Sequence, residues 1–244
     1  MLTAKDIAKM LDHSTLQPFL TEDDIKKGCD IALKYECATV CARPGDMKIV
    51  VPALRGSSVL PCTVIGFPHG AHLTDVKVYE ANRALDDGCQ ELDMVLNIGA
   101  MLHGDYQLVE DEIAQLAKAA HDRDAILKVI LETCYLSEEQ KIKACQLSES
   151  AGADFVKTST GYGSAGANVE DILLMRKTVS PHVRVKASGG IRTLDAVLAY
   201  RAAGASRCGV SASVAIMEEA YKREAEGTLS LDNIGTVKNE GGAY

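Results

Sequence analysis

The sequence contains no tryptophan, no basic cluster and no long apolar run, and these absences exclude several classes of function. Its 26 Lys and Arg residues face 34 Asp and Glu residues, a formal charge of -8, so a nucleic-acid-binding surface is not expected. No stretch reaches the roughly 18 apolar residues that a membrane helix needs. The first residues, MLTAKDIAKM, lack the apolar centre of a signal peptide. The sequence therefore predicts a cytoplasmic protein that binds neither nucleic acid nor a membrane.

Metal-binding motifs are also missing from the sequence. The eight cysteines lie among apolar neighbours without a CxxC pair. The six histidines form no HExxH motif or comparable cluster, although His69 and His72 lie close together. We expect the cysteines to be mostly small core residues, and we expect no required metal.

Eight apolar runs of strand length recur along the chain, and each is followed by an amphipathic stretch of helical length. The predicted strands are 10–15, 38–42, 62–67, 91–97, 126–132, 154–158, 184–188 and 206–210. Several of the helical stretches open on a capping hydroxyl, as at Thr21, Thr74, Ser137 and Thr193. Eight strand-helix units in 244 residues predict a single α/β domain over 1–244, a (β/α)8 TIM barrel.

The alternative fold is an open doubly wound sheet, which should show a GxGxxG turn after its first strand. That strand is followed by LQPFL instead, so the barrel is favoured. Residues 1–9 are predicted to form a short helix that caps the bottom of the barrel. The polar, glycine-rich end, DNIGTVKNEGGAY, is predicted to be a flexible tail.

Polar residues near the carboxyl ends of barrel strands are the candidates for catalysis. They are Asp12, Ser14, Asp93, Asn97, Lys128, Glu132, Lys157 and Lys186. Residues with an even spacing in a strand share a face, so Lys128 should point with Glu132, and Asp93 with Asn97. These charges could form a stabilising ion network or an active site. The active site is favoured, because apolar residues could replace a purely structural ion network.

The number of lysines indicates which reaction such a site would perform. A free lysine has a pKa of about 10.4 and must lose its proton before it attacks a carbonyl. A neighbouring cation disfavours the charged form, so Lys186 beside Lys157 would promote formation of a Schiff base. The imine would then act as an electron sink for a carbon-carbon bond, with Asp93 moving protons.

Two glycine- and serine-rich segments indicate a phosphate site. SGGIRT, at 188–193, and GVSAS, at 209–213, each lead into a predicted helix, where backbone N–H groups can bind an anion. Such segments are also ordinary turns. In a barrel, however, they occupy the loops that usually bind phosphate, so the substrate is predicted to be a small phosphorylated sugar.

Motifs along nearly the whole chain resemble those of the deoxyribose-phosphate aldolases, class I enzymes of deoxynucleoside breakdown. They are LDHSTL, TVCARP, GFPHG, ELDMVLNIG, LKVILET, AGADFVKTSTGYG, VKASGGIRT and RCGVSAS, in the order of the family. The resemblance implies reversible cleavage of 2-deoxy-D-ribose 5-phosphate to acetaldehyde and D-glyceraldehyde 3-phosphate. It implies no metal and no organic cofactor.

The resemblance also implies roles for individual residues. Lys157 would be the Schiff-base nucleophile, Lys186 would keep it neutral, and Asp93 would move protons through a water. Lys128 would hold Asp93 and the substrate hydroxyl, with Asp12 and Ser14 as supporting polar residues. The residues that would surround the phosphate are Thr160, Gly161, Gly189, Gly190, Ser211 and Ser213.

Four positions need separate comment. Ser14 replaces the family's usual threonine, and Ala212 stands where some members have a second serine, which leaves the number of phosphate-binding hydroxyls open. Cys41 is placed among the substrate-binding residues, as a core thiol that an aldehyde could reach. Tyr244, the last residue, is expected to lend its phenol to proton transfer at the acetaldehyde methyl.

Three other functions remain as alternatives. A different class I aldolase would share the chemistry but not the substrate. A phosphosugar isomerase would use acids and bases without a covalent lysine, and a non-catalytic phosphate-binding barrel would need neither Lys157 nor Lys186. We also expect a homo-oligomer, either a dimer or a tetramer, because barrels of this kind often pair through their outer helices.

Overall fold

The computed structural model describes residues 2–235, which contain eight parallel strands in a closed barrel. Each strand pairs with the next along the chain, and β1 also pairs with β8. The strands are β1 Leu11–Thr15, β2 Thr39–Ala42, β3 Leu60–Ile65, β4 Glu91–Val95, β5 Ile126–Ile130, β6 Phe155–Lys157, β7 Arg184–Ser188 and β8 Arg207–Val210. The predicted TIM barrel is confirmed.

Helices connect the strands and surround the barrel. They are α1 Ala4–Ala8, α2 Glu22–Tyr35, α3 Met47–Leu54, α4 Thr74–Asp86, α5 Ile98–His103, α6 Tyr106–His121, α7 Glu138–Ser150, α8 Val169–Thr178, α9 Leu194–Ala202 and α10 Ser213–Ala225. Capping boxes begin α2 at Thr21 and α7 at Ser137, where each hydroxyl accepts a backbone N–H. The short α5 and two single 3-10 turns were not among the predicted elements.

The predicted N-terminal helix is present as α1, which buries Ala4, Ile7 and Ala8 directly before β1 begins. The predicted tail begins within the described residues, but its last part, including Tyr244, lies outside them. Within residues 2–235, no helix combines the length and apolar content needed to cross a membrane.

Alternation along the strands separates an apolar layer from a polar one. Outward-facing residues such as Leu92, Met94 and Leu127 are fully buried in the main core between the barrel and the helices. The residues that alternate with these along the strands, such as Asp93 on β4 and Lys128 on β5, point into the barrel. The helices therefore supply the apolar packing, and the barrel interior is left for charged side chains.

Candidate active site

The Asp93 carboxylate lies at the centre of the charged barrel interior. Its Oδ2 atom accepts hydrogen bonds from Lys157 Nζ and Lys186 Nζ, both at 2.7 Å. Its Oδ1 atom accepts from Lys128 Nζ, also at 2.7 Å. Strands β4 to β7 thus bring together Asp93 and the three lysines, although the first and the last of these four residues are 93 positions apart in the chain.

Three further charged residues surround Asp93 and its lysines. Asp12 Oδ2 lies 2.5 Å from Lys186 Nζ, and Glu91 Oε2 lies 2.6 Å from Lys128 Nζ, both as ion pairs. Arg207 joins the two acids: its guanidinium contacts Asp12 Oδ1 and lies 2.9 Å from Glu91 Oε1. Because each acid contacts two cations, the buried charges are paired.

Burial and pairing have opposite effects on the protonation of these groups. Burial alone would raise the pKa of Asp93, but the ammonium groups of Lys128, Lys157 and Lys186 outweigh it and hold that pKa well below its usual range. Burial would lower the pKa of Lys186, but Asp12 and Asp93 raise it above its usual value. Burial would lower the pKa of Lys128, but Asp93 and the other negative groups around it, among them Glu91 and Asp12, together raise it. Asp93 is therefore anionic, and Lys128 and Lys186 are cationic, at neutral pH.

A small recess at the mouth of the barrel opens onto two of the three lysines. Its lining residues are Asp12, Ser14, Leu16, Cys41, Lys157, Thr160, Lys186, Ser188 and Gly209. Lys128 is fully buried below it and does not line it. A substrate in this cavity would meet Lys157 and Lys186, whereas Lys128 would act through Asp93.

The predicted phosphate residues follow the carboxyl ends of β6, β7 and β8. Ser188 on β7 pairs in register with Gly209 on β8. The residues that follow each of them, Gly189 and Gly190 after β7 and Ser211 after β8, therefore lie in neighbouring loops. A methyl group on Gly189 would lie 3.6 Å from Gly161 Cα, which places these two loops in contact. The structure thus brings Gly161, Gly189, Gly190 and Ser211 to the same rim of the barrel.

Ser213 and Thr160 have other partners. The Ser213 hydroxyl is fully buried and lies 2.8 Å from His13 Nδ1, on the outer side of the barrel wall. What Ser213 can offer a phosphate is therefore its backbone N–H at the start of α10. The Thr160 hydroxyl donates to Glu132 and Thr160 N–H donates to the same carboxylate at 3.2 Å.

The two expected side-chain pairings within strands are wrong. β5 ends at Ile130, and Glu132 adopts a left-handed backbone conformation (φ 54°) that turns it towards Thr160 instead of Lys128. β4 ends at Val95, and Asn97 caps α5 by accepting Ala100 N–H at 3.0 Å. The two-residue periodicity of a strand does not apply to Glu132 and Asn97, because both residues lie beyond the ends of their strands.

Cys41 lines the cavity but is only 2% exposed, and a hydrogen bond from Cys62 lowers the pKa of its thiol. Ligand atoms of Cys41, Cys62 and Asp93 lie within 4.8 Å of one another, close enough to hold a metal ion. Both Asp93 oxygens already bind ammonium groups, however, and a metal cation would have to approach three lysines. The electrostatics of the site therefore oppose metal binding.

Comparison with known proteins shows the family of the chain. A family model described as DeoC/LacD family aldolase matches residues 7–219. The chain belongs to this aldolase family. It is 52% identical over 225 residues to a deoxyribose-phosphate aldolase from Thermococcus gammatolerans, covering 91% of this chain and 100% of the relative. A relative from Caldanaerobacter subterraneus with the same name is 50% identical over 219 residues, covering 89% and 95%.

A solved aldolase has the same fold. The deoxyribose phosphate aldolase from Aeropyrum pernix, described as having a unique tetrameric structure, superposes with a TM-score of 0.84 at 31% identity. The match covers 89% of this aldolase and 92% of that chain. The predicted enzyme class, a carbon-carbon lyase, is confirmed.

Two charged residues of the aldolase site were absent from the sequence-based candidates. Glu91 lies two residues before Asp93 on the same strand face, and Arg207 opens β8 within the RCGVSAS motif. Because alternate residues of a strand share a face, the inward-pointing Asp93 could have identified Glu91 as a second inward-pointing acid. Arg207 gave no comparable signal, because its importance depends on which strands the barrel closes together.

Proposed function

We propose that this chain cleaves 2-deoxy-D-ribose 5-phosphate reversibly to acetaldehyde and D-glyceraldehyde 3-phosphate through a Schiff base on Lys157. The observation that carries the proposal is the placement of Lys157 Nζ at the cavity, 2.7 Å from an anionic Asp93 that also binds Lys186. Lys157 is the cavity-lining lysine with one carboxylate contact, whereas Lys186 contacts two.

Lys157 acts first as the nucleophile. Its neutral amine attacks C1 of the open-chain sugar, a C–N bond forms, and water leaves to give an iminium ion. The nearby cations of Lys186 and Lys128 favour loss of the Lys157 proton, and Asp93 Oδ2 lies in position to accept it. Asp93 returns this proton to the hydroxyl that leaves as water, and so is anionic again for the next step.

The iminium ion then accepts electrons from the breaking bond. The C3 hydroxyl loses a proton towards Asp93, the C2–C3 bond breaks, and its electron pair moves to form an enamine. D-Glyceraldehyde 3-phosphate leaves with C3 as its aldehyde carbon. A proton then adds to C2, and water hydrolyses the acetaldehyde iminium ion to release the Lys157 amine.

The phosphate is proposed to bind at the rim formed by Gly161, Gly189, Gly190 and Ser211, with Ser213 offering its backbone N–H. Thr160 borders this rim, but its hydroxyl and N–H already donate to Glu132. Glycines expose backbone N–H groups there without side chains that would block an anion. Tyr244, which lies outside the described residues, stays a proposed proton donor to C2.

The assay that tests this proposal measures aldehyde release from 2-deoxyribose 5-phosphate and from unphosphorylated 2-deoxyribose. We expect both products from the phosphorylated sugar, and a much higher KM for the unphosphorylated one. Lys157→Leu should lose activity while Ser211→Ala raises KM for the phosphorylated sugar alone. Cleavage by Lys157→Leu at the wild-type rate would contradict the proposal.

We also infer that the enzyme acts as a homo-oligomer of single-domain chains. Leu73, Val76 and Tyr79, at the start of α4, recur on one side of the helix and are exposed to 76%, 47% and 68%. Large apolar side chains grouped on a helix surface are typical of a subunit contact.

A further inference from the structure

Six charged side chains inside the barrel form a closed ring in which cations and anions alternate. In order around this charge ring they are Arg207, Asp12, Lys186, Asp93, Lys128 and Glu91, with the last contacting the first. Each carboxylate uses its two oxygens to bridge two different cations. The side chains of the ring other than Arg207 are at most 2% exposed, and Arg207 is 12% exposed.

The charge ring is balanced by itself, with three cations and three anions. Lys157 joins it from outside, through Asp93 Oδ2 at 2.7 Å. When Lys157 is protonated, the ring and Lys157 together carry one surplus positive charge in a buried site. When its amine is neutral, that surplus disappears. Burial makes an unbalanced charge costly, so the ring favours the neutral amine that a Schiff base requires.

We infer that Arg207 and Glu91, at the lower end of the barrel, are positioning residues that set the proton state of Lys157 through the charge ring. This inference rests on the proposed function, because it assumes that Lys157 is the nucleophile. Neither residue lines the cavity, so neither can act on substrate by contact. Arg207 acts through Asp12 and Lys186, and Glu91 acts through Lys128 and Asp93.

The ring residues are held in their charged forms near neutral pH. The pKa of Asp12 is lowered because Lys186 and Arg207 outweigh burial. The raised pKa values of Lys128 and Lys186 and the lowered pKa of Asp93 act in the same direction.

Titratable groups lie around Lys157 on the surrounding strands and loops, and four of them are members of the ring. They are Asp12 on β1, Cys41 on β2, Cys62 on β3, Asp93 on β4, Lys128 on β5, Glu132 after β5 and Lys186 on β7. Glu132 is buried against Thr160, and burial raises its pKa. These groups are the same in every variant below, so they do not alter the direction of the expected shifts.

The test compares Arg207→Gln, Glu91→Gln and the double variant through the pH dependence of kcat/KM. Removing the Arg207 cation favours protonated Lys157, so the acid limb of the profile should move to higher pH by about one unit. Removing the Glu91 anion adds to the positive surplus, so the limb should move to lower pH. The double variant restores the balance and should return the limb close to its wild-type position.

Opposite shifts distinguish this role from simple support of the fold. If Arg207→Gln and Glu91→Gln lower the rate without moving the limb, or move it in the same direction, the inference is wrong. Glu91→Gln is isosteric, which keeps the test usable if Arg207→Gln unfolds, and circular dichroism checks each variant. Arg83→Gln removes an exposed cation on α4, which pairs with Asp87 away from the ring, and should leave the limb in place.

Borohydride reduction of the wild-type enzyme with acetaldehyde separates this inference from the proposed function. If no adduct forms on Lys157, the proposed function and this inference both fail, because both assume that Lys157 is the nucleophile. An adduct on Lys157, together with acid limbs that do not shift in opposite directions, would overturn the role of the charge ring alone.

Discussion

At the scale of single residues, burial and contacts with opposite charges together decide which groups can change charge. Lys157 and Lys186 lie on neighbouring strands as register partners, yet their carboxylate contacts differ. Lys186 is held between Asp12 and Asp93, whereas Lys157 contacts Asp93 alone. This difference supports the proposed roles of the two lysines, Lys186 as a fixed cation and Lys157 as the nucleophilic amine.

His13 illustrates the same effect outside the active site and supports a prediction about pH. Burial lowers its pKa from 6.5 to about 4. Because the folded-state pKa is the lower one, the unfolded chain takes up the proton first as the pH falls. The stability linked to neutral His13 is therefore complete above about pH 6.5 and is lost as the pH falls towards 4. This loss should be about 2 kcal/mol between pH 7 and pH 5.

Urea unfolding at pH 7 and pH 5 checks the prediction for His13, with His13→Asn as the comparison. The variant should lose less stability than the wild type over this interval, because asparagine does not titrate. Equal losses in both proteins would show that His13 is not buried in its neutral form.

The sequence was sufficient to predict Lys157, Lys186, Asp93, Lys128 and Asp12 as candidates, and the structure brings these five together. These residues lie within or at the ends of apolar runs, where a charged side chain is unusual and is therefore easy to recognise. The partnership of Arg207 with Glu91 could not be predicted, because residues 116 positions apart meet only through closure of the barrel. Glu132 and Asn97 were misplaced because nothing in the apolar runs showed where each strand ends.

At the scale of elements, the eight strands were predictable because apolar runs and capped helices alternate regularly. Loop geometry was less predictable. Gly166 and Gly189 approach so closely that a methyl group on Gly166 would lie 2.2 Å from the Gly189 carbonyl oxygen. This contact joins the loops after β6 and β7, and the second of these carries the proposed phosphate site.

Gly166→Ala should therefore displace the loop after β7. We expect a KM for 2-deoxyribose 5-phosphate raised about tenfold or more, together with a lower melting temperature, since backbone atoms must move to make room. Steady-state kinetics and thermal unfolding measure both effects. Gly45→Ala is the matched control, because its added methyl group would meet nothing within 4 Å. Similar behaviour of the two variants would contradict the importance of the loop contact.

At the scale of the whole molecule, an apolar core surrounds a charged barrel interior within residues 2–235. The helices and the outer strand faces supply the hydrophobic stabilisation that offsets the desolvation of the ring. The cytoplasmic location and the single-domain organisation over 1–244 stay predictions.

Assembly is the property of the whole molecule that can be measured most simply. The chain has a mass of 26.1 kDa, so light scattering after size-exclusion chromatography should give at least twice that value. Tyr79→Glu places a charge within the exposed apolar group on α4 and should lower the assembled mass. A monomeric wild-type protein would contradict the inferred oligomer, and an unchanged Tyr79→Glu assembly would exclude this surface.

The most direct test of the central claim is borohydride reduction of the enzyme with acetaldehyde, followed by peptide mass spectrometry. We predict a two-carbon adduct on Lys157 that is absent from Lys157→Leu. An adduct on Lys186 or Lys128 would keep the aldolase chemistry but reverse the assigned roles. No adduct on any lysine of the folded protein would contradict the Schiff-base mechanism itself.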